Sequence, residues 1–82
     1  MVETAEPIND RAVGSLSTRE RQILRFIGMA YTEDEIAGML KRSTHTIHKH
    51  AMNIKVRLGV RRRASLVLIA VRAGLLGRVE QS

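Results

Sequence analysis

Residues 43–59 read STHTIHKHAMNIKVRLG. Ser43 is a preferred N-cap, because its hydroxyl satisfies one of the orphan N–H groups of a helix's first turn. Ile47, Ala51, Ile54 and Leu58 follow at spacings of four, three and four, which lines them up on one helix face. Gly59 is well placed as the C-terminal stop. The opposite face carries His45, His48, Lys49, Met52, Asn53, Lys55 and Val56. That outer face is basic and amide-bearing and holds no acid.

The neighbouring segments read as helices too. Thr32 and Glu35 have the spacing of a capping box. Glu33, Asp34 and Glu35 then fall in a first turn, where the helix dipole favours negative charge. Ile36, Ala37, Met39 and Leu40 give that short helix its apolar face, and it ends near Lys41 or Arg42. Further upstream Ser17 and Glu20 repeat the capping box, with Leu16 before it as a staple. Ile23, Leu24, Ile27 and Phe26 form the stripe, Arg19, Arg21 and Arg25 lie off it, and Tyr31 and Thr32 mark the stop. Downstream, a fourth helix is predicted over residues 62–73, with Gly74 as its stop. Its residues 66–71 are six successive apolar positions, which go right round a helix. Ala64, Val67, Ala70 and Val71 have the spacing of an inner face. Leu68 and Ile69, with Arg72 continuing the Leu68 line, fall outside and point to a second copy of the chain as partner.

The frame is therefore one all-α domain over residues 16–76, with residues 1–15 read as a disordered tail or linker and residues 77–82 as a second tail. Eighty-two residues leave little room for a substrate pocket and a catalytic constellation. Cysteine is absent, which excludes disulfides and thiolate metal sites. The six-residue apolar run is far short of a membrane span. Residues 17–82 carry thirteen basic against five acidic groups, and residues 41–63 hold eight basic side chains and no acid. Such a block suits a polyanion, with DNA or RNA the usual one and an acidic phospholipid surface a third possibility. With only Phe26 and Tyr31 aromatic, stacking platforms for single strands are lacking.

Two short helices in succession, the second with a basic outer face, read as a helix-turn-helix. The residues also carry a resemblance. Leu16-Ser17-Thr18-Arg19-Glu20-Arg21-Gln22-Ile23-Leu24, then Glu35-Ile36-Ala37, then Thr46-Ile47-His48-Lys49-His50, then Ile54-Lys55-Val56-Arg57-Leu58-Gly59-Val60, Ala70 and Gly74-Leu75-Leu76 stand in the order and spacing of the LuxR/GerE-type DNA-binding domain. The resemblance implies a four-helix domain whose third helix enters the major groove of double-stranded DNA and whose fourth forms a dimer contact. On that reading His48, Lys49, Met52 and Asn53 face base edges. Lys41, Arg42, Ser43, Thr46, His50, Lys55, Arg57, Arg61 and Arg62 hold phosphates, and Leu68, Ile69 and Arg72 meet the second subunit. Lys49 suits guanine O6 and N7, and His48 donates to the same atoms with one ring nitrogen.

The chain departs from the family pattern at the turns. Lys41 and Arg42 stand where a small and then an aliphatic residue are usual, Ala30 where glycine is preferred, and Glu33 and Asp34 where Asn and a basic residue are common. His45, His48 and His50 do not make a metal site, because His50 points away from His45 and no carboxylate or thiol completes the set. No hydroxyl has a base and an orienting acid at catalytic spacing. The expected function is a non-enzymatic, cofactor-free transcription regulator, acting as a homodimer at least on DNA, in a bacterial cytoplasm. The family also implies an upstream sensor or receiver domain absent from this chain. The competing expectation is an interaction module that no longer reads DNA and pairs with another regulator through its fourth helix.

Overall fold

The capping residues set the helix starts. The computed structural model describes residues 10–76, and among them every regular element is a helix. Ser17 Oγ accepts from the Glu20 N–H at 3.0 Å while Glu20 Oε1 accepts from the Ser17 N–H at 3.0 Å. This complete capping box opens the helix Thr18–Gly28, α2. Thr32 and Glu35 make the same exchange at 3.1 and 2.8 Å and open Glu33–Leu40, α3. Ser43 Oγ accepts from the Thr46 N–H at 3.0 Å and opens Thr44–Leu58, α4. Gly59, at φ 72°, closes it. The last helix, Arg63–Arg72, α5, has Arg62 at its N-cap with no side-chain hydrogen bond, and Gly74 at φ 74° follows it.

A further short helix, Asp10–Ser15, α1, precedes the four that were expected, in a segment read as tail. Val13 is buried, and the Leu16 N–H reaches back to the Val13 carbonyl at 3.2 Å. Only Ala12 and Val13 are apolar in that segment, too few for a periodicity. The tails expected at residues 1–9 and 77–82 lie outside the described residues.

Leu16, Ile23, Leu24, Ile27, Ile36, Ala37, Ile47, Ala51, Ile54, Leu66 and Ala70 form the core. It lies where α2 crosses α5 and where α3 and α4 pack as the two arms of the helix-turn-helix. Phe26 and Tyr31 close one edge, edge to face with centroids 5.8 Å apart.

The inner face of α5 differs from the expected one. Leu66 and Ala70 are fully buried, Val67 is half-buried, and Ala64 and Val71 are exposed. Ile69, expected outside, packs partly against the core. The cause is the run itself: six apolar residues carry no period, so docking on α2 chooses the face. Gly28 permits that docking, since a Cβ there would stand 2.6 Å from Ala70 Cβ.

Candidate nucleic-acid interface

The exposed side of α4 is the surface to which the expected base-reading residues belong. Ile47, Ala51 and Ile54 turn inward, so His45, His48, Lys49, Met52, Asn53 and Val56 are left outside. All four expected base readers are therefore exposed and share one helix side. Val56 was not among them, yet it is 76% exposed and flanked by Met52 and Asn53. A bare valine on a polar face is the signal that could have found it, because an apolar side chain there suits a thymine methyl.

The remaining residues divide by position. His45, Thr46, Lys49, His50 and Asn53 line one shallow groove along α4. Thr46 and Ser43 are tied together at the helix start: the Thr46 N–H donates to Ser43 Oγ, and the Ser43 hydroxyl donates to Thr46 Oγ1 at 2.9 Å. Ser43 is thus occupied as a cap. The Thr46 hydroxyl hydrogen has no acceptor among the described residues. His50 is half-buried, and its Nδ1 is enclosed without a hydrogen-bond partner. With its hydrogen on Nε2 the ring would leave only an unpaired acceptor enclosed and have a donor free.

Lys41 and Arg42 are exposed in the turn between α3 and α4. Lys55 and Arg57 leave α4 on opposite flanks. Lys55 is half-buried, and Arg57 Nε stands 4.0 Å from Glu20 Oε1, so this guanidinium leans toward α2. Arg61 and Arg62 are exposed beside the uncapped start of α5. Arg63 has a structural task, donating from Nη2 to the Tyr31 carbonyl.

Two acids reach this surface from α3. Glu33 Oε1 and Oε2 stand 3.1 and 3.3 Å from His48 Nδ1. Asp34 Oδ1 accepts from the Thr44 hydroxyl at 2.7 Å. Fifteen residues separate Glu33 from His48, and no spacing rule within a single helix connects them. On α5 the exposed apolar pair is Leu68 and Val71, one turn apart, with Arg72 beside them. Among the described residues no group of three His, Cys, Asp or Glu is placed to hold a metal, and no helix is long and apolar enough to cross a membrane.

The family model of bacterial regulatory proteins, luxR family, matches residues 14–70, and the chain belongs to that family. The transcriptional activator protein BglJ of Escherichia coli (strain K12) is 43% identical over 53 residues, 65% of this chain and 24% of that protein. The uncharacterized response regulatory protein YgeK of the same organism is 37% identical over 60 residues, 73% of this chain and 41% of that protein. The transcriptional activator protein SolR of Ralstonia solanacearum is 33% identical over 61 residues, 74% of this chain and 26% of that protein. The chain thus spans between about a quarter and two-fifths of the length of these relatives. No solved structure matches it significantly. Fold and family together define a DNA-binding transcription-regulator domain, a binding module and not an enzyme.

Proposed function

We propose that the chain binds double-stranded DNA in a sequence-dependent way, with α4 in the major groove and two copies joined through α5. One observation carries the reading: α4 presents His45, His48, Lys49, Met52, Asn53 and Val56 on one exposed side and contributes no acid to it. Base edges are read by His48, Lys49, Met52 and Asn53, with Val56 added. Lys41, Arg42, Thr46, His50, Lys55, Arg57, Arg61 and Arg62 surround that strip and serve phosphates. The two E. coli and Ralstonia proteins named as transcriptional activators support the regulatory role. The 41% span of a response regulatory protein supports an upstream input domain in the whole protein.

A second reading is favoured by the acids at the edge of the face. Glu33 beside His48 and Asp34 on Thr44 repel phosphates, as an interaction module would tolerate and a DNA reader must offset. Duplex binding titrated against salt separates the two. A domain making six to ten phosphate contacts loses about a thousandfold or more in affinity between about 50 and 200 mM salt. Salt-insensitive binding, or none at low salt, would favour the interaction module.

A further inference from the structure

His48 is not a free side chain. Its Nδ1 lies 3.1 and 3.3 Å from the two carboxylate oxygens of Glu33, which is presented from the first turn of α3. An ionised carboxylate only accepts, so the hydrogen of this bond sits on His48 Nδ1. A neutral imidazole has one N–H, and Nε2 is then left with a lone pair. Nε2 has no protein partner among the described residues, and the side chain is 55% exposed. The nearby groups do not compete for Nδ1. Asp34 is engaged by Thr44, while His45 and Lys49 lie on the same side of α4 without a bond to the ring.

We propose that Glu33 is a specificity-determining positioning residue: by holding the hydrogen of His48 on Nδ1, it turns Nε2 into the acceptor with which α4 reads an exocyclic amino group. In the major groove only adenine N6 and cytosine N4 offer such a donor. This reverses the sequence-based expectation for His48, in which a ring nitrogen donates to guanine O6 and N7. His50, two residues on, has no such acid beside it: its enclosed Nδ1 is without a hydrogen-bond partner among the described residues. The inference rests on α4 as the reading helix.

Two arms test it. Nitrogen-15 shifts of the His48 ring in the free domain report the tautomer without DNA. The Nδ1–H form is expected in the wild type, and a shift toward Nε2–H in Glu33→Ala. Selection from a randomised duplex pool, run in parallel on wild type, His48→Ala and Glu33→Ala, reports the reading. The wild type should enrich adenine or cytosine at a position that His48→Ala leaves random, and Glu33→Ala should lose that preference by about tenfold. Should Glu33→Ala not fold, Glu33→Gln keeps the shape, and its amide admits both tautomers, so mixed shifts and a weakened preference are expected. A wild-type ring in the Nε2–H form, or an unchanged base preference in the Glu33 variants, overturns the proposal. If the wild type enriches no duplex at all, the DNA-reading assignment itself fails and takes this inference with it, whatever the ring shifts show.

Discussion

Ala30 and Lys41 both adopt left-handed backbone, at φ 73° and 57°. A residue with a Cβ is strained there, by about 1–2 kcal/mol. These are two of the positions where the chain departs from its family's pattern, which prefers glycine or a small residue. The turn geometry is therefore kept while the residue that suits it has been replaced. At Lys41 the replacement has a functional side, since an exposed cation now flanks the start of α4. Ala30→Gly should raise the unfolding free energy in urea by about 0.5–1 kcal/mol, after the entropy glycine costs, and leave duplex affinity unchanged. Lys41→Gly should give a similar gain but weaken binding to all duplexes alike, because it removes a proposed phosphate contact. A loss of stability at either position contradicts the strain argument. Neither conformation was legible in the sequence, because alanine and lysine give no local sign of positive φ.

At the scale of the element, what was legible followed local rules. Ser17 with Glu20, Thr32 with Glu35, and Ser43 sit within three residues of the groups they cap, so spacing alone placed three helix starts. The stripe of Ile47, Ala51 and Ile54 fixed the buried side of α4, and with it the exposure of every proposed base reader. The illegible parts depend on tertiary packing. The inner face of α5 is chosen by α2, and the Glu33–His48 contact exists only because α3 and α4 pack against each other. Gly28 shows how tight the α2–α5 crossing is. A methyl added there would lie 2.6 Å from Ala70 Cβ and 3.0 Å from Leu76 Cδ2. Gly28→Ala should therefore cost about 1–3 kcal/mol although alanine is the better helix former. Thermal unfolding would show it as a fall of about 4–8 °C per kcal/mol. An unchanged or raised midpoint would mean that the helices separate without penalty.

The molecule as a whole is a buried core with exposed faces on α4 and α5. Leu66 is fully buried, so Leu66→Ala should cost about 2–5 kcal/mol, a large share of what so small a domain has. Leu68, 49% exposed beside Val71, should tolerate glutamate without loss of helicity. On the proposed arrangement Leu68→Glu lowers the mass seen in sedimentation and removes cooperative binding to a duplex with two half-sites. A folded Leu68→Glu variant that still binds both half-sites cooperatively would show that α5 is not the subunit contact. The charge distribution belongs to the same scale: residues 41–63 carry eight basic groups and no acid, and on the proposed arrangement they attract any duplex while sequence choice is left to the few side chains on the exposed side of α4. The central claim is that this side reads bases. It is tested most directly by the ratio of affinities for a selected duplex and a scrambled one, measured at fixed salt for wild type and Lys49→Ala. The account predicts that Lys49→Ala lowers this ratio by about 1–3 kcal/mol while binding to the scrambled duplex changes little. An equal loss on both duplexes would contradict it, and would make Lys49 one more phosphate contact.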